Sequence, residues 1–361
     1  MVQPAPSVST DASFLSGLAD AFPQPLFDLA GIAAMILFPL VLLAAVIIGF
    51  LWVSSLVQRN AALKAMQMDT TPGNKILIAT VRGKDGRTAR DKFMLAMEKR
   101  LPDFNFGSAF YMGAAPISLE ATDFALSRKD YDKLDAAFEA SGADLIVWGQ
   151  TGASGEETRL CFATPATIKG SLVTGFFTMD LKGKPSEWAD GENLAMAYVA
   201  GKRLRPSIGR PADFRAERFQ PILHSMSQLL DQPDVISGDA KTELEDDFAA
   251  GALHVGEALS QPDWLQKSID LRTRALQSMK QGADPIRWAQ AKIGLGRAMC
   301  RLCETKFEPA KLQEAMTHIR EGIDSTKSDS RMQLAETGFQ TLQRAEQMLA
   351  DRRRFSIRWS V

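Results

Sequence analysis

The longest uncharged stretch of the chain runs from Leu29 to Gln58 and consists largely of Leu, Ile, Val, Phe, Ala and Gly. About twenty apolar residues are enough for an α-helix to cross the hydrocarbon layer of a bilayer. Each Leu, Ile, Val or Phe favours insertion by roughly 0.3–0.6 kcal/mol, and no charge opposes it. Pro39 lies inside the run, at a position that a transmembrane helix tolerates. The sequence therefore predicts one transmembrane helix over residues 29–55.

A cleaved signal peptide is the main alternative for this run. Such a leader begins with basic residues, has a shorter apolar stretch and ends at a small-residue cleavage site. Residues 1–28 contain no Lys or Arg, and the apolar run is longer than a leader needs. We therefore expect an uncleaved anchor preceded by a flexible tail over residues 1–28.

The charges that flank the run predict its orientation. The residues before it carry Asp but no Lys or Arg, whereas the first basic residues after it are Arg59, Lys64 and Lys75. The positive-inside bias favours a single-pass protein of the bacterial inner membrane with its C-terminal bulk in the cytoplasm. The opposite orientation, with the domains facing the periplasm as part of an envelope machine, is the alternative.

Bulk composition excludes several classes of protein. The net charge is −1, which gives no basis for nucleic-acid binding. Three cysteines do not make a disulfide framework. Cys300 and Cys303 form a C-x-x-C pair, but the pair lies in a helical pattern without a second Cys/His pair at zinc-finger spacing. We interpret both as small apolar residues that face a neighbouring helix.

The middle of the chain reads as a small α/β domain over residues 74–190, joined to the membrane helix by a linker over 56–73. The β-branched runs Lys75–Val81 and Ala143–Gln150 predict strands, and TRLCFAT and GFFTMDL predict two more. Two helical stripes lie between the first two runs, the second ending at Gly142. This order predicts a sheet with helices on one or both faces.

The loop after the first predicted strand contains Arg82, Lys84 and Arg87. In α/β folds, loops at this place commonly bind phosphate groups. The loop lacks both G-x-x-x-x-G-K-[ST] and G-x-G-x-x-G, the motifs that would specify a nucleotide. Two interpretations remain: a solvated basic turn, or the anion loop of a small-anion or nucleotide sensor coupled to the C-terminal region.

Residues 191–350 read as amphipathic helices that repeat. Leu265-Gln266 and Leu312-Gln313 open matching helices about 47 residues apart, and small residues on the preceding helices permit close packing. A last helical stretch, RMQLAETGFQTLQRAEQML, looks like a cap. Each helical pair leaves an apolar face that only its neighbour covers, so the pairs are expected to stack and form a groove.

The second repeat unit resembles the long tetratricopeptide-type repeats of bacterial proteins. The similarity is carried by Pro285, Trp288-Ala289, Leu295-Gly296, Ala298-Met299 and Leu312–Met316, and it covers about residues 245–350. Gly322 stands where that family usually has Ala. The middle region is similar in layout to the α/β domain that precedes such repeats in some membrane-anchored bacterial proteins, and to the N-terminal domain of TolB.

These features predict a single transmembrane helix, a small α/β domain and C-terminal all-α tetratricopeptide-like helical hairpins. The corresponding function is a membrane-tethered scaffold or adaptor that binds protein partners. The residues expected to line its partner groove are Arg272, Arg274, Arg287, Arg297 and Arg301. No catalytic, metal or cofactor motif appears, so we expect no enzyme activity and no cofactor. Residues 351–361 form a basic–aromatic tail, expected to be a solvated, frayed end; contact of its basic residues with anionic lipid headgroups is the alternative.

Overall fold

The computed structural model describes most of the chain. The described residues are 24–70, 72–120, 126–165, 176–204, 215–232, 234–280, 282–326 and 332–358. The chain divides into two compact units between Ala61 and Ala62.

The first unit contains most of helix α1 (Gln24–Met68). Leu40–Met68 is, among the described residues, the one helix that is long and apolar enough to cross a membrane. Large apolar side chains along it are exposed, including Leu43 and Ile47. The helix begins earlier than predicted, so residues 24–28, expected in the flexible tail, are helical. The rest of that predicted tail lies outside the described residues.

Helix α1 continues to Met68, so the first part of the predicted linker over residues 56–73 is helical. Ala, Leu, Lys, Met and Gln dominate that part and favour helix, and the first strong breaker is Pro72. The Lys75 ammonium donates hydrogen bonds to the carbonyl oxygens of Met66 and Asp69, at 2.8 and 2.7 Å. A cation therefore satisfies carbonyl groups at the negative end of the helix.

Among the described residues, five strands form one mixed sheet in the second unit. They are β1 (Asn74–Arg82), β2 (Phe110–Ala114), β3 (Leu145–Thr151), β4 (Glu157–Ala163) and β5 (Phe177–Lys182). Their order is β2–β1–β3–β4–β5. β1 pairs in parallel with β2 and β3, whereas β3 with β4 and β4 with β5 pair antiparallel. The two clearest predicted strands, β1 and β3, are thus neighbours inside the sheet.

Alternate side chains of the strands enter different apolar clusters on the two faces of the sheet. Along β3, Val147 joins one cluster and Trp148 the other; along β4, Phe162 and Cys161 divide in the same way. This is the two-residue period of a strand. Because both faces are covered, the interior strands read as continuous apolar runs and not as apolar–polar alternation.

Helices cover both faces of this sheet. Helix α2 (Gly86–Arg100) packs on one face, and α3 (Arg128–Ser141) contributes to the apolar cluster on the other. The Ser127 side chain caps α3 by accepting a hydrogen bond from the Asp130 amide at 3.2 Å. Gly142 ends α3 in the left-handed conformation with φ 63°, as the sequence predicted.

Helix α4 (Asp190–Leu204) connects the sheet to the helical region. It packs beside α2 on the sheet, and the apolar cluster around it continues into later helices without a break. Tyr198 donates a hydrogen bond to the Asp247 carboxylate at 2.7 Å, and Lys202 donates to the same carboxylate at 2.6 Å. The predicted domain boundary at 190/191 stays a prediction, but α4 belongs to the layer on the sheet.

The C-terminal region is a stack of antiparallel helices. After α5 (Ala216–Leu230) come α6 (Gly238–Ala258), α7 (Pro262–Ser278), α8 (Pro285–Thr305), α9 (Pro309–Thr326) and α10 (Met332–Arg358). Helices α6, α8 and α10 begin 47 residues apart, and so do α7 and α9. The spacing predicted from the sequence is therefore the spacing of the helices.

The chain end differs from the prediction, because α10 continues to Arg358 and the tail expected to fray is helical up to that residue. The Arg352 guanidinium lies over the ring of Phe307 at 5.1 Å, a cation–π distance that ties this end to the stack. Residues 359–361 lie outside the described part.

Candidate protein-binding groove

A groove crosses the helical stack. Its larger cavity, of about 410 Å³, lies between α6 and α8, with residues of α7 and α10 completing the lining. A second cavity of about 370 Å³ follows between α8 and α10. The two share Glu257, Arg297 and Thr337, so we treat them together as the groove.

Ion pairs between alternate helices of the stack form the walls of the groove. Arg287 Nε lies 2.6 Å from Asp246 Oδ2. Arg297 pairs with Glu257, whose side chain is only 8% exposed. Farther along, Arg344 Nε lies 2.7 Å from Glu304 Oε1. These pairs join α6 to α8 and α8 to α10.

The wall pairs follow the helix repeat. Glu257 and Glu304 are 47 residues apart, and so are their partners Arg297 and Arg344. The same contact therefore recurs between each successive pair of long helices. An exposed pair such as Arg344–Glu304 contributes at most about 1 kcal/mol, so we infer that the recurring pairs mainly fix the register of the stack.

Four of the five predicted groove arginines lie in the groove. Arg272, Arg287 and Arg297 line the larger cavity, and Arg301 lines the second. Arg274 is exposed on α7 and lines neither cavity. That these arginines bind a partner stays a prediction.

The acidic partners of the arginines were missed from the sequence. The Asp246 carboxylate raises the pKa of Arg287, mainly through their hydrogen bonds. Arg301 bonds to Glu304 at 2.7 Å and lies 3.6 Å from Glu257. The walls are thus close to charge-neutral and not uniformly basic. One sequence signal could have indicated these acidic partners: a glutamate occurs at the same position of two successive repeats, as Glu257 and as Glu304.

Arg272 differs from the wall arginines. Its Nε donates to Ser268 Oγ and its Nη1 to the carbonyl oxygen of Gln290, each at 3.3 Å. Within the described ranges, no carboxylate comes within ion-pair distance of it. Burial is the largest influence on this guanidinium and lowers its pKa to about 10. It remains protonated at neutral pH and stands as a cation on the floor of the groove.

Gly294 makes the room that Arg272 occupies. A Cβ atom at position 294 would lie 2.4 Å from the guanidinium carbon of Arg272. Because this is far shorter than a van der Waals contact, a side chain here would displace the guanidinium.

The predicted anion loop lies at the carboxyl end of β1. The chain leaves β1 toward β2 and leaves β3 toward β4, so the loop stands at a switch point of the sheet. Arg82, Lys84 and Arg87 are all exposed, and Arg82 lies 4.0 Å from the Glu120 carboxylate. Asp85 occupies the N-cap position of α2 and brings an acid to the helix end where an anion would bind. Anion binding here stays a prediction.

The two cysteines of the C-x-x-C pair are buried in α8. They belong to the apolar cluster formed with α9, and burial raises the pKa of Cys300 to about 12. A thiol with so high a pKa carries almost no thiolate at neutral pH, which agrees with a packing role.

No family model, curated protein or solved structure matches the chain.

Proposed function

We propose that the protein is a membrane-tethered scaffold that binds a protein partner in the groove. The observation that carries this proposal is the groove itself, an open channel across three helices with apolar residues on its floor and ordered charges on its walls. A channel of this form fits an extended peptide or a helix, whose side chains enter the apolar part while its polar groups meet the walls.

The repeat geometry supports a tetratricopeptide-like interpretation of the stack. Two helical pairs and a single last helix recur at one spacing, and each packs on the next. Outside the groove, the last helix carries the exposed side chains of Gln333, Gln343 and Gln347. A polar outer face is what a terminal repeat needs to remain soluble. We therefore propose that the partner binds in the groove and not on this face of α10.

Helix α1 supplies the tether. Its large apolar side chains, such as Leu43 and Phe50, are exposed by more than half. A continuous apolar surface of this length is costly in water and stable in a bilayer. We infer that α1 crosses the membrane.

We further infer that the C-terminal bulk lies in the cytoplasm, because Arg59 and Lys64 follow the apolar run whereas no Lys or Arg precedes it. A reporter that is active only in the cytoplasm, fused after Val361, should be active. An inactive reporter, together with activity of one that requires export, would place the domains on the other side.

Photo-crosslinking in cells tests the binding function directly. We expect a photoreactive amino acid at Ala250, which is exposed and lines the larger cavity, to give discrete protein adducts. The same amino acid at Gln277, exposed on α7 outside both cavities, is the matched control. Because crosslinking requires close approach, a groove partner reacts only with the first position.

The outcome that counts against the scaffold proposal is the same adduct pattern from both positions, or none from Ala250 while the variant chain is present at its normal level in the membrane.

A further inference from the structure

The chemistry of the partner can be read from Arg272, and this inference rests on the proposed function of the groove. We propose that the groove receives a peptide segment bearing a single carboxylate between apolar side chains, and that Arg272 on the groove floor is the anchor of that carboxylate.

Among the described residues, no carboxylate lies within ion-pair distance of Arg272; the nearby Asp246, which favours its charged form, is itself paired with Arg287. The two hydrogen-bond partners of Arg272 are a hydroxyl and a backbone carbonyl, which are neutral. A guanidinium has five N–H donors in a planar fork that matches a carboxylate. Holding such a charge away from water costs free energy unless an opposite charge or strong hydrogen bonds offset it. An incoming carboxylate would supply both.

The helix repeat does not require a charge at this position. Ile319 stands 47 residues after Arg272, at the same place in α9 as Arg272 occupies in α7, and it is fully buried. An apolar side chain therefore satisfies the packing at the equivalent position of the next pair. Arg272, together with Gly294 on α8 that makes room for it, therefore distinguishes this position of α7 from the equivalent position of α9.

The surroundings of Arg272 restrict the partner to one carboxylate. Asp246 and Glu257 on the walls are already paired with arginines, while Glu245 adds another acid to the lining. Because Asp246 and Glu257 already neutralise the wall arginines, a second carboxylate on the segment would meet no unpaired wall arginine and would approach Glu245 instead. The apolar part of the lining comes from Leu253, Leu271, Ile293 and Leu334. A carboxylate flanked by apolar residues complements both features.

The test is a selection of short random peptides on the full-length chain in detergent micelles, using one library with free carboxyl termini and one with amidated termini. We expect enriched peptides to share one carboxylate beside Leu, Ile, Met or Phe. Enrichment from the free-terminus library alone identifies a chain-end carboxylate, whereas enrichment from both identifies an Asp or Glu side chain. The strongest peptide then serves as the probe in fluorescence-polarisation binding.

Neutralising the carboxylate of that probe, by amidation or by Glu→Gln or Asp→Asn, should weaken binding by roughly 10- to 100-fold, the range for a hydrogen-bonded charge pair. Arg272→Gln should cause a similar loss, and Gly294→Ala should weaken binding by displacing the guanidinium. Arg274→Gln, on the same helix but outside the groove, should leave the affinity unchanged.

Because the peptide-side change needs no altered protein, the proposal can fail even if Arg272→Gln does not fold. Enriched peptides that lack a carboxylate, or bind equally well once it is neutralised, would overturn the role of Arg272 and leave the scaffold proposal standing. A selection that enriches no peptide in either library would overturn both.

Discussion

A chain carrying both Leu43→Arg and Ile47→Arg is expected to leave the membrane fraction. Each arginine near the middle of the bilayer costs about 2.5–3.5 kcal/mol, while each apolar residue of the run contributes only about 0.3–0.6 kcal/mol. Two arginines one helical turn apart therefore offset most of the favourable insertion energy of more than a dozen such residues. Both positions lie in the exposed apolar part of α1.

Flotation in a density gradient is the measurement, because it separates membrane-bound chains from aggregates that would also sediment. The control is the pair Leu43→Ala and Ile47→Ala, which removes apolar surface without adding charge and should still float with the membranes. If the double-arginine chain floats as the parent does, α1 is not the tether.

Trp148→Ala is expected to lower the free energy of unfolding by about 3–5 kcal/mol, the range for removing a large buried aromatic side chain. Trp148 is fully buried on β3 and its ring packs against Phe176 at a centroid distance of 5.3 Å. Its Nε1 donates a hydrogen bond of 2.9 Å to the carbonyl oxygen of Glu120. Because whole domains are stable by only about 5–15 kcal/mol, this loss would remove a substantial share of the fold's stability.

Two control variants separate the loss of the hydrogen bond from the loss of apolar volume, and a buried site from a half-buried one. Trp148→Phe keeps most of the apolar volume but leaves the Glu120 carbonyl without its donor, so it should cost only about 1–3 kcal/mol. Trp288→Ala removes the same kind of ring from a half-buried site on α8 and should cost less than Trp148→Ala. Urea unfolding followed by far-UV circular dichroism gives the three values. Equal losses at positions 148 and 288 would contradict the central place of Trp148.

The candidate groove shows the limit of reasoning from sequence. Helical periodicity placed Arg272, Arg287, Arg297 and Arg301 on repeat helices, and all four line the groove. The sequence did not show that three of them are paired with acids about forty residues away. Such pairs depend on how helices stack. The sequence pattern around an arginine is the same whether its side chain contacts a carboxylate or water.

Local sequence determined the elements of this protein, because each depends on residues close together in the chain. The uncharged run predicted an apolar helix, and the continuous β-branched runs predicted β1 and β3. Gly142 predicted the end of α3, and the 47-residue spacing predicted the repeat of the helical pairs. Each signal is either a hydrophobic period or a residue with a special backbone conformation.

Tertiary structure decided what long-range packing controls. In the structure, α1 continues through the expected linker to Met68, and α10 continues to Arg358. Helix α4 packs on the sheet, and acidic side chains pair with the arginines of the groove walls. It also placed Arg272 on the groove floor beside Gly294, where no carboxylate of the described residues lies within ion-pair distance of the guanidinium. These outcomes depend on which surfaces meet in space, because the free energy of burying a charge or an apolar face is set by its neighbours and not by its position in the chain.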